Sequence, residues 1–309
     1  MKNTEIRNEQ GLTESEFLQN YDPNKYERPS VTNDVLIFTI DNCMAENAEK
    51  SCTKKLQLLL IQRRDHPSIH KWALPGGFVN MDEDLIDGAY RELHEETGLT
   101  NIYVEQLGAF GEVYIDKEKT IPRDPRTRII TVGNLALLPK EKMKPVAGDD
   151  AQNVMWFDVT MEFLDKETHE NHITKVYILH LTSEDKTIKI SYKIQEKVSK
   201  DAMRKKETEY ILQESSTQAL AADHFKLIYC ALDKIRKEIE YTPLALNLLP
   251  SSFTSTELNY VYEAILGRKV HNLQEKLEDM IIKVSEVIEG EAISSEEFYK
   301  FNEQWEHEF

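Results

Sequence analysis

Positive charge is the first shortage in this chain. Lys and Arg number 38 against 55 Asp and Glu in 309 residues, a formal net charge of −17. A general binder of nucleic acid or of an anionic membrane surface needs basic patches to meet phosphates, so both classes are disfavoured, local patches aside. Cysteine is also scarce. Cys43, Cys52 and Cys230 are odd in number and lack metal-ligand spacing, which excludes a disulfide framework and predicts a reduced, cytoplasmic protein. No apolar run approaches the length of a membrane span, and the polar, acidic first residues lack the apolar core of a signal peptide. What remains is ample. An apolar content of 40% over this length suffices for one large or two ordinary domains.

The most informative stretch runs from Leu74-Pro75-Gly76-Gly77 through Glu83 to Arg91-Glu92-Leu93-His94-Glu95-Glu96-Thr97-Gly98-Leu99. It reads as a glycine turn, a short acidic loop and a helix. Residues three and four apart on a helix share a face, so Glu92, Glu95 and Glu96 point one way. Three carboxylates held close repel one another unless a cation sits among them, and an all-oxygen set suits a hard ion such as Mg²⁺. Acidic runs on helices are ordinarily solvated faces, but here the neighbours fit too. Arg91 presents a planar fork of donors beside the carboxylates. Gly98 reads as a helix C-cap with left-handed backbone, Leu99 as the return of apolar burial. Gly76 and Gly77 allow a sharp turn or close approach to a ligand. His94 is read as structural.

Gly77, Glu83, Arg91-Glu92-Leu93, Glu95-Glu96 and Gly98-Leu99 stand at every required spacing of the Nudix box, so the chain resembles a Nudix hydrolase. The resemblance implies an α+β fold, an α/β/α sandwich with a mixed sheet, and metal-assisted attack of water on a diphosphate. It implies Mg²⁺, with Mn²⁺ as the alternative, held by Glu92, Glu95, Glu96 and the carbonyl of Gly76. Glu95 and Glu96 are also the expected catalytic carboxylates, with Arg91 orienting them and Glu83 holding Arg91. The general base stays open among these glutamates, Glu162 and Asp149.

The order of elements agrees. Val31 to Ile40 and Leu56 to Arg63 read as buried strands by β-branched and aromatic content, separated by a polar loop and followed by the glycine turn and helix. Tyr103 to Val113 and Ile129 to Leu138 read as further strands, Val154 to Phe157 as a short one. Lys175 to Leu181 and Thr187 to Tyr192 form a hairpin about Ser183-Glu184-Asp185. The turn Pro122-Arg123-Asp124-Pro125-Arg126-Thr127-Arg128 is either a solvated loop or a set of donors for a diphosphate. Its placement in Nudix folds favours substrate contact by Arg126 or Arg128, and Arg63 is the third substrate-binding candidate. Asp149 and Asp150 read as a turn cap sooner than as metal ligands. His224, beside Asp223, reads as a helix-start residue packed on the core sooner than as an acid–base group.

Three units are expected: an N-terminal extension over 1–29, a Nudix domain over 30–240 and a small, helical, winged-helix-like domain over 241–309. In the last, Leu244 to Leu249, Thr256 to Leu266 and Leu273 to Val287 read as helices, with a capping box made by Thr254 or Ser255 with Glu257. Leu220 to His224, Tyr241-Thr242-Pro243-Leu244-Ala245 and Leu258 to Gly267 resemble Nudix-related transcriptional regulators. That resemblance implies a homodimer and an ADP-ribose or sugar-nucleotide ligand. It departs at the DNA side. From Arg268 to Phe309 there are five Lys and Arg against eleven Asp and Glu, the wrong sign for a helix and wing that lie on phosphates. The two functional expectations are therefore a nucleoside diphosphate-sugar hydrolase and a sugar-nucleotide-sensing regulator, the intact box favouring the first.

Overall fold

The computed structural model describes residues 6–41, 54–98, 100, 102–116, 119–140, 151–284 and 297–306, with only the backbone described at 96–97, 114–116 and 119–121. After α1 (Glu14–Asn20) come β1 (Ser30–Asp41), β2 (Lys55–Arg63), β3 (Trp72–Ala73), β4 (Gly76–Phe78) and α2 (Leu85–Thr97). Then follow β5 (Tyr103–Phe110), β6 (Val113–Asp116), β7 (Lys119–Pro122), β8 (Ile129–Leu137), β9 (Ala151–Thr168), β10 (His172–Ser183), β11 (Lys189–Ser199), β12 (Lys206–Leu212) and α3 (His224–Glu238). The chain continues through a 3-10 turn (Pro243–Leu248), β13 (Phe253–Thr254), α4 (Ser255–Leu266), α5 (Leu273–Lys276), β14 (Ile281–Lys283) and β15 (Phe298–Phe301).

The architecture is α+β, as expected. One large sheet runs β12-β11-β10-β9-β2-β1-β8-β5, with β3 and β4 paired to β2 and β1. Its β1–β8 pair is parallel and the neighbouring pairs antiparallel, so the sheet is mixed. The period of two along β1 explains how both faces are covered. Leu36, Phe38 and Ile40 point into the apolar cluster that holds Leu227, Ile228 and Leu232 of α3. Val35 and Ile37 point the other way, onto Ala89 and Leu93 of α2. A strand buried on both faces reads as the continuous apolar run seen in the sequence. The same alternation sets the site, because Asn33 falls on the α2 side and Asp34 on the α3 side.

Beyond α3, the small sheet has the order β13-β15-β14, with α4 and α5 between β13 and β14. This is a winged-helix-like arrangement. Its helix α4 starts on the expected capping box, Thr254 Oγ1 accepting from the Glu257 amide at 3.1 Å and the Glu257 carboxylate accepting from the Thr254 amide at 2.9 Å. Left-handed Gly267 ends it. The apolar cluster under the large sheet continues through α3 into Leu258, Val261 and Ile265 of α4.

Three expectations about elements need correction. The helix expected over Leu273 to Val287 is only four residues long. Leu277, Met280 and Ile281 keep an apolar face buried, but Ile281 and Ile282 pair with Phe301 and Lys300 as strand, which suits their β-branched side chains. The short strand expected at Val154 to Phe157 lies in the first half of an 18-residue β9, whose exposed outer end from Glu162 to Thr168 has Phe163 and Leu164 side by side among charged residues and no period of two. Tyr103 to Val113 is interrupted, β5 ending at Phe110 and β6 starting at Val113. Among the described residues no helix is long and apolar enough to cross a membrane.

Candidate functional site

The glycine turn folds under α2. Gly77 Cα lies so close to the helix that an added Cβ would stand 2.4 Å from Glu92 Oε1, and one at Gly76 would stand 2.1 Å from the Asn33 carbonyl oxygen. At Gly76 the neighbour is backbone, so only glycine allows the approach. Left-handed Gly98 closes α2 as expected (φ 71°). Arg91 ties the loop to the helix. Its Nε and Nη2 donate to the two Glu83 oxygens at 3.0 and 2.9 Å, Nη2 donates to the Phe78 carbonyl at 3.1 Å, and Nη1 donates to Glu92 Oε1 at 2.7 Å. Glu95 Oε1 lies 3.4 Å from the same Nη1. Glu83 thus holds Arg91, and Arg91 draws Glu92 and Glu95 together.

These contacts set the protonation. The Arg91 fork and the Asn80 amide, which donates to Glu83 Oε1 at 2.8 Å, hold the Glu83 pKa down at about 2. Burial pushes Glu92 upward, against the opposing pull of Arg91. The sign at Glu83 gives a stability prediction. Its folded pKa lies below the ordinary 4.5, so its contribution is complete above that value and disappears as pH falls from there to about 2. The melting temperature of the wild type should fall more steeply over that interval than that of Glu83→Gln; parallel curves would overturn it.

The donors suit a hard divalent cation in kind. Glu92 and Glu95 supply carboxylate oxygens only, and Gly77 leaves room beside Glu92 that a Cβ would fill. The Glu96 side chain, expected to be the third carboxylate, lies outside the described residues, as does Asp149. Among the described residues no three His, Cys, Asp or Glu groups are already gathered as a metal site. Glu162 is removed from the candidates for general base. It pairs with Ile178, eleven residues along β9 from Ala151, which pairs with Arg63; at about 3.3 Å per residue that is roughly 35 Å.

Against the glycine turn opens a cleft with about 740 Å³ of free space counted out to its open mouth. Asp34, Gly76, Arg123 and His224 are among the residues that line it. A family model described as the NUDIX domain matches residues 51–177, the segment that holds the box and one side of this cleft. Over that segment the chain carries a NUDIX domain. It is 29% identical over 266 residues to the ADPR responsive transcriptional repressor NtrR of Acinetobacter baylyi, a match covering 85% of this chain and 76% of the relative. An ADP-ribose pyrophosphatase of Methanocaldococcus jannaschii is 34% identical over 106 residues, 34% of this chain and 57% of that protein. The crystal structure of a MutT/nudix family protein from Enterococcus faecalis superposes with a TM-score of 0.64 at 29% identity, covering 94% of both chains.

The arginines expected to bind substrate divide around this cleft. Arg126 lines the cleft, held bidentately by Asp124 at 3.0 and 2.9 Å, with its guanidinium 5.5 Å from the Phe78 ring centre. Arg63 lines it too, its Nε donating to the Pro67 carbonyl at 2.7 Å. Arg128 is exposed and turned toward Gly111, outside the cleft lining. Sequence reasoning passed over Arg123, which is 5% exposed and grips Asp223 by Nε at 3.1 Å and by Nη2 at 2.5 Å. It also passed over Asp34. Thr131 Oγ1 donates to Asp34 Oδ2 at 2.7 Å, and Arg123 Nη2 lies 3.9 Å from the same oxygen. The signal for Asp34 was present as an Asn-Asp pair inside an otherwise buried run, since such residues are seldom buried without a reason. His224 starts α3 and is buried, as expected, yet it also faces the cleft.

Proposed function

We propose that this chain is a Mg²⁺-dependent pyrophosphohydrolase of nucleoside diphosphate derivatives, with ADP-ribose, cleaved to AMP and ribose 5-phosphate, as its first candidate substrate. The observation that carries this reading is the network that joins Glu83, Arg91, Glu92 and Glu95 of the box, at the edge of a cleft that also presents Arg63 and Arg126. Glu92, Glu95, Glu96 and the Gly76 carbonyl would hold the cation, with Mn²⁺ as an alternative. Bound there, it supplies charge neutralisation on the diphosphate and a more acidic water. Arg91 keeps the carboxylates aimed and limits their mutual repulsion. Arg126 and Arg63 offer guanidinium donors to phosphate oxygens. Positioning and neutralisation of this kind provide most of what phosphoryl transfer requires.

The name of the Acinetobacter relative and the winged-helix-like order of β13 to β15 favour a second reading, a repressor that senses the same ligand. Against it stands the charge of the C-terminal segment. Glu275, Glu278 and Asp279 are exposed on and just after α5, where a recognition helix would present basic residues. We assign 1–29, 30–240 and 241–309 as extension, Nudix domain and winged-helix-like domain, and a homodimer as the working assembly.

Hydrolysis of a panel comprising ADP-ribose, NADH, sugar nucleotides, diadenosine polyphosphates and nucleoside triphosphates, with and without Mg²⁺, tests the proposal. AMP release from ADP-ribose that requires Mg²⁺ is the expected result. Tight binding of ADP-ribose with no turnover of any member would overturn it and favour the sensor, to be followed by gel shift on upstream DNA.

A further inference from the structure

Asp34 and His224 face each other across the inner end of the cleft with a gap between them. His224 Nδ1 accepts a hydrogen bond from the Leu74 amide at 2.8 Å. That nitrogen therefore carries no proton, and the ring proton sits on Nε2. Burial of the ring also disfavours a second proton, lowering its pKa against the pull of Asp34 and Asp223. Nε2 is 4.0 Å from Asp34 Oδ1, too far for a direct hydrogen bond. An N–H donor and a carboxylate acceptor, both mostly buried and both lining the cleft, thus lack only a bridging group.

The chemistry of that group follows from charge and polarity. Arg123 is committed to Asp223 through Nε and Nη2, so its charge is largely matched there and Asp34 remains in excess. A phosphate or carboxylate placed between Asp34 and His224 would meet an acceptor it cannot satisfy. A cation would meet the Nε2 proton. A hydroxyl suits both sides, donating to Asp34 Oδ1 while accepting from His224 Nε2. Thr131 Oγ1 already does the same kind of work at Oδ2. We propose that Asp34 and His224 form a sugar-hydroxyl subsite, which selects nucleoside diphosphates whose second phosphate carries a neutral polyol over those ending in an alkyl group or a further phosphate. This inference deepens the reading of the cleft as a nucleoside diphosphate site and rests on it, but it holds whether the ligand is cleaved or only sensed.

Binding is therefore the readout, measured by titration calorimetry on the full chain with Ca²⁺ in place of Mg²⁺. The ligands are ADP-ribose, the ethyl ester of ADP, which keeps the diphosphate and lacks the sugar, and ATP. Wild type should bind ADP-ribose about tenfold to a hundredfold more tightly than the ethyl ester, as a charge-assisted hydrogen bond provides, with ATP no better than the ester. Asp34→Asn and His224→Gln should each remove most of that preference and leave the affinity for the ethyl ester unchanged. Equal wild-type affinity for ADP-ribose and the ester would overturn the proposal, as would variants that weaken both ligands alike. Should Asp34→Asn fail to fold, the wild-type ratio and His224→Gln decide. A preference that survives in a protein with no turnover in Mg²⁺ removes the hydrolase reading alone; absence of binding by all three ligands removes the reading of the cleft itself.

Discussion

Glu95→Gln is expected to lower the rate of diphosphate hydrolysis about a thousandfold while leaving stability within about 0.5 kcal/mol of wild type. The two halves of this expectation have separate origins. Glu95 is more than half exposed, and the contact found for it is the 3.4 Å approach to Arg91 Nη1. An exposed pair of that length contributes little to folding. The amide keeps the shape and an oxygen but gives up the charge, which is what a hard cation needs. Glu92→Gln should behave differently. Glu92 is buried and accepts from Arg91 at 2.7 Å, so its loss should reduce both activity and stability. The comparison requires AMP release at saturating Mg²⁺, then across a Mg²⁺ titration, with thermal unfolding of each protein alongside. Recovery of Glu95→Gln at high Mg²⁺ would place the defect in metal affinity; unchanged turnover at every concentration would remove Glu95 from the site.

How much of this site was legible in the sequence depends on how local each part is. The box is local. Glu83, Arg91, Glu92 and Glu95 lie within one loop and one helix, where spacing alone brings side chains to a common face, and the structure joins these four in one network. The caps of α2 at Gly98 and of α4 at Thr254 were legible for the same reason. The opposite wall of the cleft is assembled from β1, the segment after β7 and the start of α3, separated by about a hundred residues at each step. No period or spacing records that Asp34, Arg123 and His224 meet. Arg126 and Arg128 stand two apart in an irregular turn, and nothing in their order distinguishes the one that lines the cleft from the one that faces Gly111. The outer end of β9, Glu162 to Thr168, is exposed and lacks alternation, with Phe163 and Leu164 adjacent among charged residues, so its strand character comes from pairing with β10.

Arg123→Met is expected to destabilise the protein by about 3–5 kcal/mol, the largest loss of stability from any single change in the cleft. Arg123 and Asp223 are 5% and 6% exposed. Removing the guanidinium leaves Asp223 buried without its partner, directly before α3, and also takes the nearest positive charge from Asp34 at 3.9 Å. Burial works against the charge on Arg123, but its pairing with Asp223 outweighs this and raises its pKa. The double variant Arg123→Met/Asp223→Asn should therefore regain much of the loss, because the uncompensated charge disappears with its partner. Arg126→Ala supplies the contrast. Its side chain is 44% exposed and its pair with Asp124 lies at the mouth, so stability should change by less than about 1 kcal/mol. Its effect should instead be a higher KM for the diphosphate. Urea unfolding of the four proteins, with kinetics on those that fold, separates the arginine that builds the wall from the one that meets the ligand. A loss below about 1 kcal/mol in Arg123→Met, or no recovery in the double variant, would show that the buried pair is not what fixes α3 against the cleft.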